Sequence, residues 1–175
     1  LDNSGTTPAS VDIDGDWRLA ASTTIDTENG TNGDDGGTVD LSGAVVSATG
    51  GGVDLTIDSS NAGANFSGGN VGLGLFNNVG GSFVNDLSVI TNGAVAGGTT
   101  TLHANISLDN NGAAGALFSV TGNADVIISD SITIDTENGN TAGVTGGGVN
   151  FNNADVTPDA ANFTLAIITE NTGGN

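Results

Sequence analysis

The chain has 175 residues, of which 36% are hydrophobic. It contains 20 acidic residues and a single arginine, which gives a formal net charge of −19. Such a surface repels nucleic acids and anionic lipid headgroups, because binding to phosphates depends on Lys and Arg. Cysteine is absent, which excludes disulfides and thiol nucleophiles, and no stretch is as long as the roughly 18 apolar residues of a membrane span. We expect no nucleic-acid partner and no membrane insertion, and divalent cations or cationic surfaces as natural counterparts.

The first predicted element is the segment VDIDGDWRL at 11–19. On a strand its apolar residues point to one side, and Asp12, Asp14 and Asp16 point to the other. Calcium takes about six to eight oxygens that converge on one point, whereas same-face side chains of a strand stand about 6.6 Å apart. Only a turn at Gly15 would bring the three carboxylates together. We favour a solvated acidic face, keep Asp12, Asp14 and Asp16 as candidate calcium ligands, and expect no other cofactor.

The phrase IDTENG follows at 25–30, and it occurs a second time at 134–139. Its acidic residues, Asp26 and Glu28 in one copy and Asp135 and Glu137 in the other, could ligate a metal shared between coils or molecules. The alternative is a strand end followed by an Asn-Gly turn, with the polar side chains in water. Because every copy of a structural unit must rebuild its turns, the repetition favours the structural corner.

The repeat extends far beyond this phrase, and 11 of 21 aligned positions are identical in its first block. The matching pairs of segments are 10–30 with 119–139, 36–46 with 146–156, and 53–57 with 163–167. The chain is therefore a single repetitive domain over 1–175. It contains about one and a half copies of the unit, a first copy over 1–107 and a partial second copy over 108–175.

Within the unit, apolar residues alternate in short runs such as VDLTI at 53–57, which is typical of β-strands, and no helical stripe appears. A β-solenoid accounts for the long-range copy, because each coil pairs with the previous one and neighbouring coils offer similar environments. The turn clusters divide the unit into about five coils of roughly 22 residues. We predict an all-β fold, a parallel β-solenoid (right-handed β-helix) of roughly eight coils.

A second all-β architecture stays open. The chain could be a pilin-like β-sandwich subunit that polymerises by donating a terminal strand, for which 162–170 (NFTLAIITE) would serve. The internal repeat is the main evidence against it.

The segments GGNVGLGLFNNVGGSFVNDLSVIT at 68–91 and SITIDTENGN at 131–140 resemble the β-strand repeats of giant bacterial surface proteins. These are the haemagglutinin-like and autotransporter-like β-helix arrays. The resemblance implies an extracellular or outer-surface repetitive protein, used for adhesion or as a fibre or sheath. It implies no catalytic residues.

Residues that could support catalysis are few. His103 lies in TLHANISL at 101–108 and alternates outward from a strand, and the sequence offers it no candidate Ser or Cys partner. No G-x-S-x-G, phosphate-loop or H-E-x-x-H string occurs. We predict that the chain is not an enzyme. The alternative is a carbohydrate-binding or carbohydrate-cleaving β-helix, which would need a row of aromatic residues beside two carboxylates.

These observations favour a structural role. The ends of a β-solenoid are open strand edges, and natural solenoids are capped or else polymerise. The sequence shows neither a polar capping helix nor a terminal strand blocked by proline. We predict a structural component of an extracellular bacterial filament, sheath or adhesin stalk at the cell surface, assembled by stacking of β-coils. Its partners would be copies of itself, adjacent repeats of one giant chain, or surface glycans.

Overall fold

The computed structural model describes residues 8–27, 35–78, 82–109, 115–123, 125–137, 146–152 and 154–170. All regular structure in these ranges is β-strand, and no helix occurs in them. In chain order the strands are β1 Val11–Asp12, β2 Gly15–Leu19, β3 Thr23–Asp26, β4 Val39–Ala48, β5 Leu55–Asp58, β6 Val71–Phe76, β7 Leu87–Ile90, β8 Thr100–Leu102, β9 Ile106–Ser107, β10 Leu117–Thr121, β11 Val126–Ile128, β12 Ile132–Asp135, β13 Gly148–Asn150, β14 Val156–Pro158 and β15 Leu165–Ile168.

The strands stack in three columns that run along the axis of the molecule. The first column contains β1, β4, β6, β8, β11 and β14. The second contains β2, β4, β6, β9, β12 and β15, so the first two columns share the long strands β4 and β6. The third contains β3, β5, β7, β10 and β13. Every ladder between these strands is parallel, so the fold is the predicted all-β parallel solenoid.

The length of one turn corrects the sequence-based estimate. In the third column Thr23 pairs with Leu55 of the next turn, and even the shortest step, from Thr100 to Val126 in the first column, is longer than the expected coil. The third column takes four such steps and the first two columns take five, so the solenoid has about four to five turns. The prediction of roughly eight coils was wrong, because each turn has three corners and the turn-forming clusters occur at all of them.

The core lies inside the three columns and is built from stacked aliphatic side chains. In the third column Ile25, Ile57, Val89 and Val120 are successive in-register partners, and none of them is more than 8% exposed. Each turn therefore removes the apolar surface of the turn beneath it from water, which is the main favourable contribution to folding. On the same strands, the residues that alternate with these core residues point outward and are half-buried or exposed.

Two glycines show how closely the corners are packed. A Cβ on Gly37 would collide with the carbonyl group of Ala9, and a Cβ on Gly147 would collide with the Thr136 hydroxyl and the Ala116 carbonyl. The two glycines occupy matching positions of the repeat. In both copies the chain is therefore packed closely against neighbouring backbone at this glycine.

The β-sandwich alternative is not confirmed. The proposed donor segment 162–170 contains β15, which pairs in parallel with β12 of the same chain. It is therefore the last strand of the second column.

Candidate functional site

The two copies of IDTENG lie at different places around the axis. Asp26 is the last residue of β3 in the third column, whereas Asp135 is the last residue of β12 in the second. The predicted strand end is confirmed in both copies. Glu28 and the Asn-Gly turns lie outside the described residues. The phrase therefore ends strands at two different corners of the solenoid.

The displacement holds along the whole repeat. Strands β10, β11 and β12 of the second copy match β1, β2 and β3 of the first, and β13, β14 and β15 match the two ends of β4 and then β5. A first-column strand of the first copy has its counterpart in the third column. The counterparts of second-column strands lie in the first column, and those of third-column strands lie in the second. The sequence repeat is thus three and two-thirds turns long, from β1 to β10. Similar interiors in all three columns allow one sequence to occupy any of them.

The threonine after the aspartate of the phrase is a buried structural residue. Thr27 and Thr136 are both fully buried. The Thr27 Oγ1 donates to the Gly37 carbonyl at 3.1 Å, and the Thr136 Oγ1 donates to the Ile168 carbonyl at 3.4 Å. These bonds fix the chain where it leaves the strand, which supports the structural interpretation of the repeat.

The three candidate calcium ligands lie at the first corner. Asp12, Asp14 and Asp16 are exposed, and Gly15, the first residue of β2, has a φ of 77°. The Asp14 carboxylate lies where a Cβ on Gly43 of the next turn would be. Among the described residues, no group of three or more His, Asp or Glu side chains is placed to hold a metal ion. Calcium binding at Asp12, Asp14 and Asp16 stays a prediction.

Glu137 departs from the expectation that the acids of the phrase are solvated. It is 1% exposed, and neither of its carboxylate oxygens has a hydrogen-bond partner. Burial raises the pKa of Glu137, and the nearby carboxylates of Asp109 and Asp135 raise it further. The expectation was wrong for this residue because the adjacent turn covers the corner, which the local sequence does not reveal.

His103 is exposed, as its alternation predicts. The expectation that it has no serine partner was wrong, because Ser129 of the next turn places its Oγ 2.9 Å from the His103 Nδ1. The same Oγ lies 3.0 Å from the Leu102 carbonyl. The hydroxyl has one hydrogen, so when the carbonyl accepts it, Nδ1 must donate to the serine. Sequence reasoning missed this pair because it depends on the turn length.

Asp40 lies on the other side of the imidazole. A Cβ on Gly72 would lie 3.0 Å from the Asp40 Oδ1 and 3.6 Å from the His103 Nε2, so both side chains meet above this glycine. Hydrogen bonds from the Ser42 side chain and backbone lower the pKa of Asp40, and the charge of His103 contributes less. The histidine thus connects polar groups of separate turns.

Many of the other polar side chains are used to connect successive turns. The Asp86 Oδ1 accepts a hydrogen bond from the Leu117 backbone N–H at 2.8 Å, and the Asn105 Oδ1 accepts one from the Thr133 backbone N–H at 2.8 Å. Asp54 accepts the Asp86 N–H at 3.3 Å in the same way. The partners are separated by about one turn, 28 to 32 residues. Some of the aspartates therefore have a structural role, as hydrogen-bond acceptors for the backbone of the next turn.

The two ends of the solenoid differ from the rest of it. Among the described strands, β1, β2 and β3 are paired on one side only, and we call this edge the head; the edge of β13, β14 and β15 is likewise paired on one side, and we call it the tail. Ile167 and Val156 at the tail are 47% and 37% exposed, whereas Ile57 and Val46 at the matching positions of the first copy are fully buried. Apolar side chains that one further turn would cover are open to solvent at the tail.

One tail strand is partly protected against pairing. The backbone carbonyl of Asp155 accepts a hydrogen bond from the Val126 N–H, and the backbone N–H of Asp159 donates one to the Ile128 carbonyl. The backbone groups of these two residues therefore face β11. Pro158 lies between them in the outward-facing register, where its missing N–H removes a donor from the open edge. The expectation that no terminal strand is blocked by proline was wrong for the first column.

Among the described residues there is no helix with the length and apolar character that crossing a membrane requires. No family model matches the chain, and no curated protein or solved structure matches it either. The resemblance to giant surface proteins therefore rests on the sequence pattern alone.

Proposed function

We propose that the chain is a structural segment or subunit of an extracellular bacterial filament, sheath or adhesin stalk, assembled by stacking of β-coils. The observation that carries this proposal is the continuity of three parallel columns from head to tail. A solenoid of this kind extends by adding turns, since each turn uses the same contacts as the one before. It acts mechanically, without catalysis.

The contacts between turns suit such a role. Backbone ladders, stacked aliphatic side chains and side-chain acceptors for the backbone of the next turn recur along the axis. The bonds and the core are shared by neighbouring turns, so the rod resists local opening. Absence of cysteine and lysine supports a place at the bacterial surface.

Acidic side chains in register give calcium a structural role in the proposal. Asp12 pairs with Asp40 in the first column, and Asp26 pairs with Asp58 in the third. Adjacent strands lie about 4.8 Å apart, so like charges on neighbouring turns repel one another. Calcium or another divalent cation at these outer faces would offset the repulsion and stiffen the stack.

The carbohydrate-binding or carbohydrate-cleaving alternative has less support. Stacking on sugar rings needs exposed aromatic faces, and the aromatic side chains here are all buried or half-buried. They are Trp17, Phe66, Phe76, Phe83, Phe118, Phe151 and Phe163.

The test is electron microscopy of cells that produce the protein, with gold-labelled antibody against the chain, in calcium-containing buffer and after chelation. We expect label along surface filaments or a sheath, and loosening of these structures when calcium is removed. Label confined to the cell interior, or to isolated particles in both buffers, would contradict the proposal. A glycan-binding screen on the purified chain would then test the alternative.

A further inference from the structure

One glycine leaves a gap on the outer face of the first column. Asp40, Gly72 and Thr101 are in-register partners on three successive turns, so the missing side chain is the middle one. A Cβ on Gly72 would lie 3.0 Å from the Asp40 Oδ1 and 3.6 Å from the His103 Nε2. Asp40 belongs to β4, whereas His103 directly follows β8. The gap therefore brings a carboxylate oxygen and an imidazole nitrogen from separate turns to one place on the surface.

The imidazole is held so that its Nε2 can act as a ligand. The Ser129 Oγ lies 2.9 Å from the His103 Nδ1 and 3.0 Å from the Leu102 carbonyl oxygen. When Nδ1 carries the hydrogen, Ser129 accepts it and donates its own hydrogen to the carbonyl, so all three groups are satisfied. Nε2 then presents a lone pair, and within the described part of the chain no hydrogen bond to it has to break. Histidines that ligate metals are typically oriented in this way, by a hydrogen bond at the other ring nitrogen.

The carboxylate that faces this nitrogen is also fixed in place. The Asp40 Oδ1 accepts a hydrogen bond from the Ser42 backbone N–H at 2.9 Å. Hydrogen bonds from the Ser42 side chain and backbone lower the pKa of Asp40, so it is ionised at neutral pH. Asp12 is the in-register partner of Asp40 on the preceding turn and adds a further acidic group. The lone pair of Nε2 thus faces a carboxylate in acidic surroundings, and a cation between the two atoms would be attracted by both.

We propose that Asp40 and His103 bind a divalent transition-metal ion, Zn²⁺ or Cu²⁺, in the gap above Gly72. An imidazole nitrogen combined with a carboxylate oxygen suits these ions, whereas Ca²⁺ takes oxygen ligands. Bonds from zinc to nitrogen and oxygen are about 2.0–2.2 Å long, so both side chains turn toward the ion, which the exposure of His103 permits.

The site has two protein ligands, and water fills the remaining positions. This agrees with the absence, among the residues that the structure describes, of any group of three His, Asp or Glu side chains placed for a metal. The inference goes beyond the proposed function and does not depend on it, since it concerns a metal of a different class on a single chain.

The test is titration with Zn²⁺ of the chain purified without a histidine tag, followed by isothermal titration calorimetry. Calcium is present throughout, so that acidic groups that take any divalent cation are already occupied. His103→Asn and Asp40→Asn each remove one ligand. Asp58→Asn is the matched control, because Asp58 lies in the third column, is also half-buried and accepts hydrogen bonds from the serine two residues further on. The chain has one histidine, so the ¹⁵N resonances of the imidazole report on this site alone.

Two further variants keep both ligands and change their surroundings. Gly72→Ala fills the gap between them, with Gly50→Ala as its control, since a Cβ at Gly50 meets nothing within 4 Å. Ser129→Ala removes the hydroxyl that orients the imidazole. Far-UV circular dichroism confirms that each variant is folded.

We expect the unmodified chain and both controls to bind one Zn²⁺ with equal affinity, and zinc to shift the Nε2 resonance. Ser129→Ala should weaken binding by about tenfold, Gly72→Ala by at least as much, and loss of either ligand by more. Cu²⁺ should bind more tightly than Zn²⁺.

Three results would overturn the inference. The first is zinc binding that His103→Asn leaves unchanged. The second is an imidazole whose resonances move with pH and not with zinc, which would mean that Nε2 takes only a proton. The third is an equal loss in Asp40→Asn and Asp58→Asn, which would mean that zinc responds to the total charge of the chain.

Discussion

The same part of the repeat occurs twice in this molecule, once between two turns and once at the tail. Ile57 and Ile167 occupy matching positions in similar segments, yet Ile57 is fully buried and Ile167 is 47% exposed. Their local sequences, VDLTI and FTLAI, predict the same inward direction. The difference comes entirely from the turn that covers one and not the other. In a solenoid, a residue's contribution to stability thus depends on its position along the axis.

Truncation of these two isoleucines should give the largest difference in the free energy of unfolding, and it tests the comparison directly. We expect Ile57→Ala to lower the free energy of unfolding by about 2 to 5 kcal/mol, because it leaves a cavity between turns. Ile167→Ala should cost less than about 1 kcal/mol in the monomer, since its side chain already contacts water. Urea denaturation at a concentration where the chain is monomeric measures both. Equal losses would contradict the difference in burial.

The sequence was sufficient for the fold class and for the corners, because alternation is a local pattern and the duplication is visible in the sequence itself. It predicted the inward and outward sides of 11–19 correctly, and it placed a strand end at both copies of the phrase. The number of turns was wrong, since turn-forming residues mark corners and not complete circuits.

Contacts between turns could not be predicted for the same reason. The Ser129 partner of His103, the burial of Glu137 and the outward register of Pro158 all depend on the length of one complete turn. That length becomes visible only when the three columns are seen. With it, the spacing of 31 residues between Asp86 and Leu117 would have identified the connecting side chains.

The glycines at the corners provide a contrasting test, because here substitutions in the two copies should have similar effects. Gly37→Ala and Gly147→Ala each force a Cβ against neighbouring backbone or a hydroxyl, and we expect each to cost about 1 to 3 kcal/mol through overpacking. Gly50→Ala is the control, since a Cβ there meets nothing within 4 Å. Thermal unfolding ranks the three variants. A Gly147→Ala protein as stable as the control would show that the second corner is looser than its copy.

Substitution of Glu137 tests whether its buried carboxylate lowers the free energy of unfolding. Its pKa is raised above the ordinary value of 4.5, so the folded state binds the proton more tightly than the unfolded state. The favourable contribution of this group is therefore complete below pH about 4.5 and is lost as the pH rises through the folded-state pKa. We expect Glu137→Gln to stabilise the protein at pH 7, where the buried carboxylate is charged or must bind a proton.

Unfolding titrations at several pH values measure this effect, with the exposed Glu170→Gln as control. The advantage of Glu137→Gln should disappear at acidic pH, where the native carboxyl is neutral in both states. An advantage that is independent of pH would mean that the substitution acts through packing and not through charge.

The smallest expected difference concerns the threonines that follow the duplicated aspartate. Thr27→Val and Thr136→Val keep the shape of the side chain and remove one hydrogen bond each, which typically costs about 1 kcal/mol. The Thr27 bond, at 3.1 Å, is shorter than the Thr136 bond, at 3.4 Å, and the latter ends on β15 at the uncovered tail. The loss in free energy of unfolding should therefore be larger for Thr27→Val. Urea denaturation of both variants measures the two losses. A larger loss for Thr136→Val would contradict the order that the two bond lengths predict.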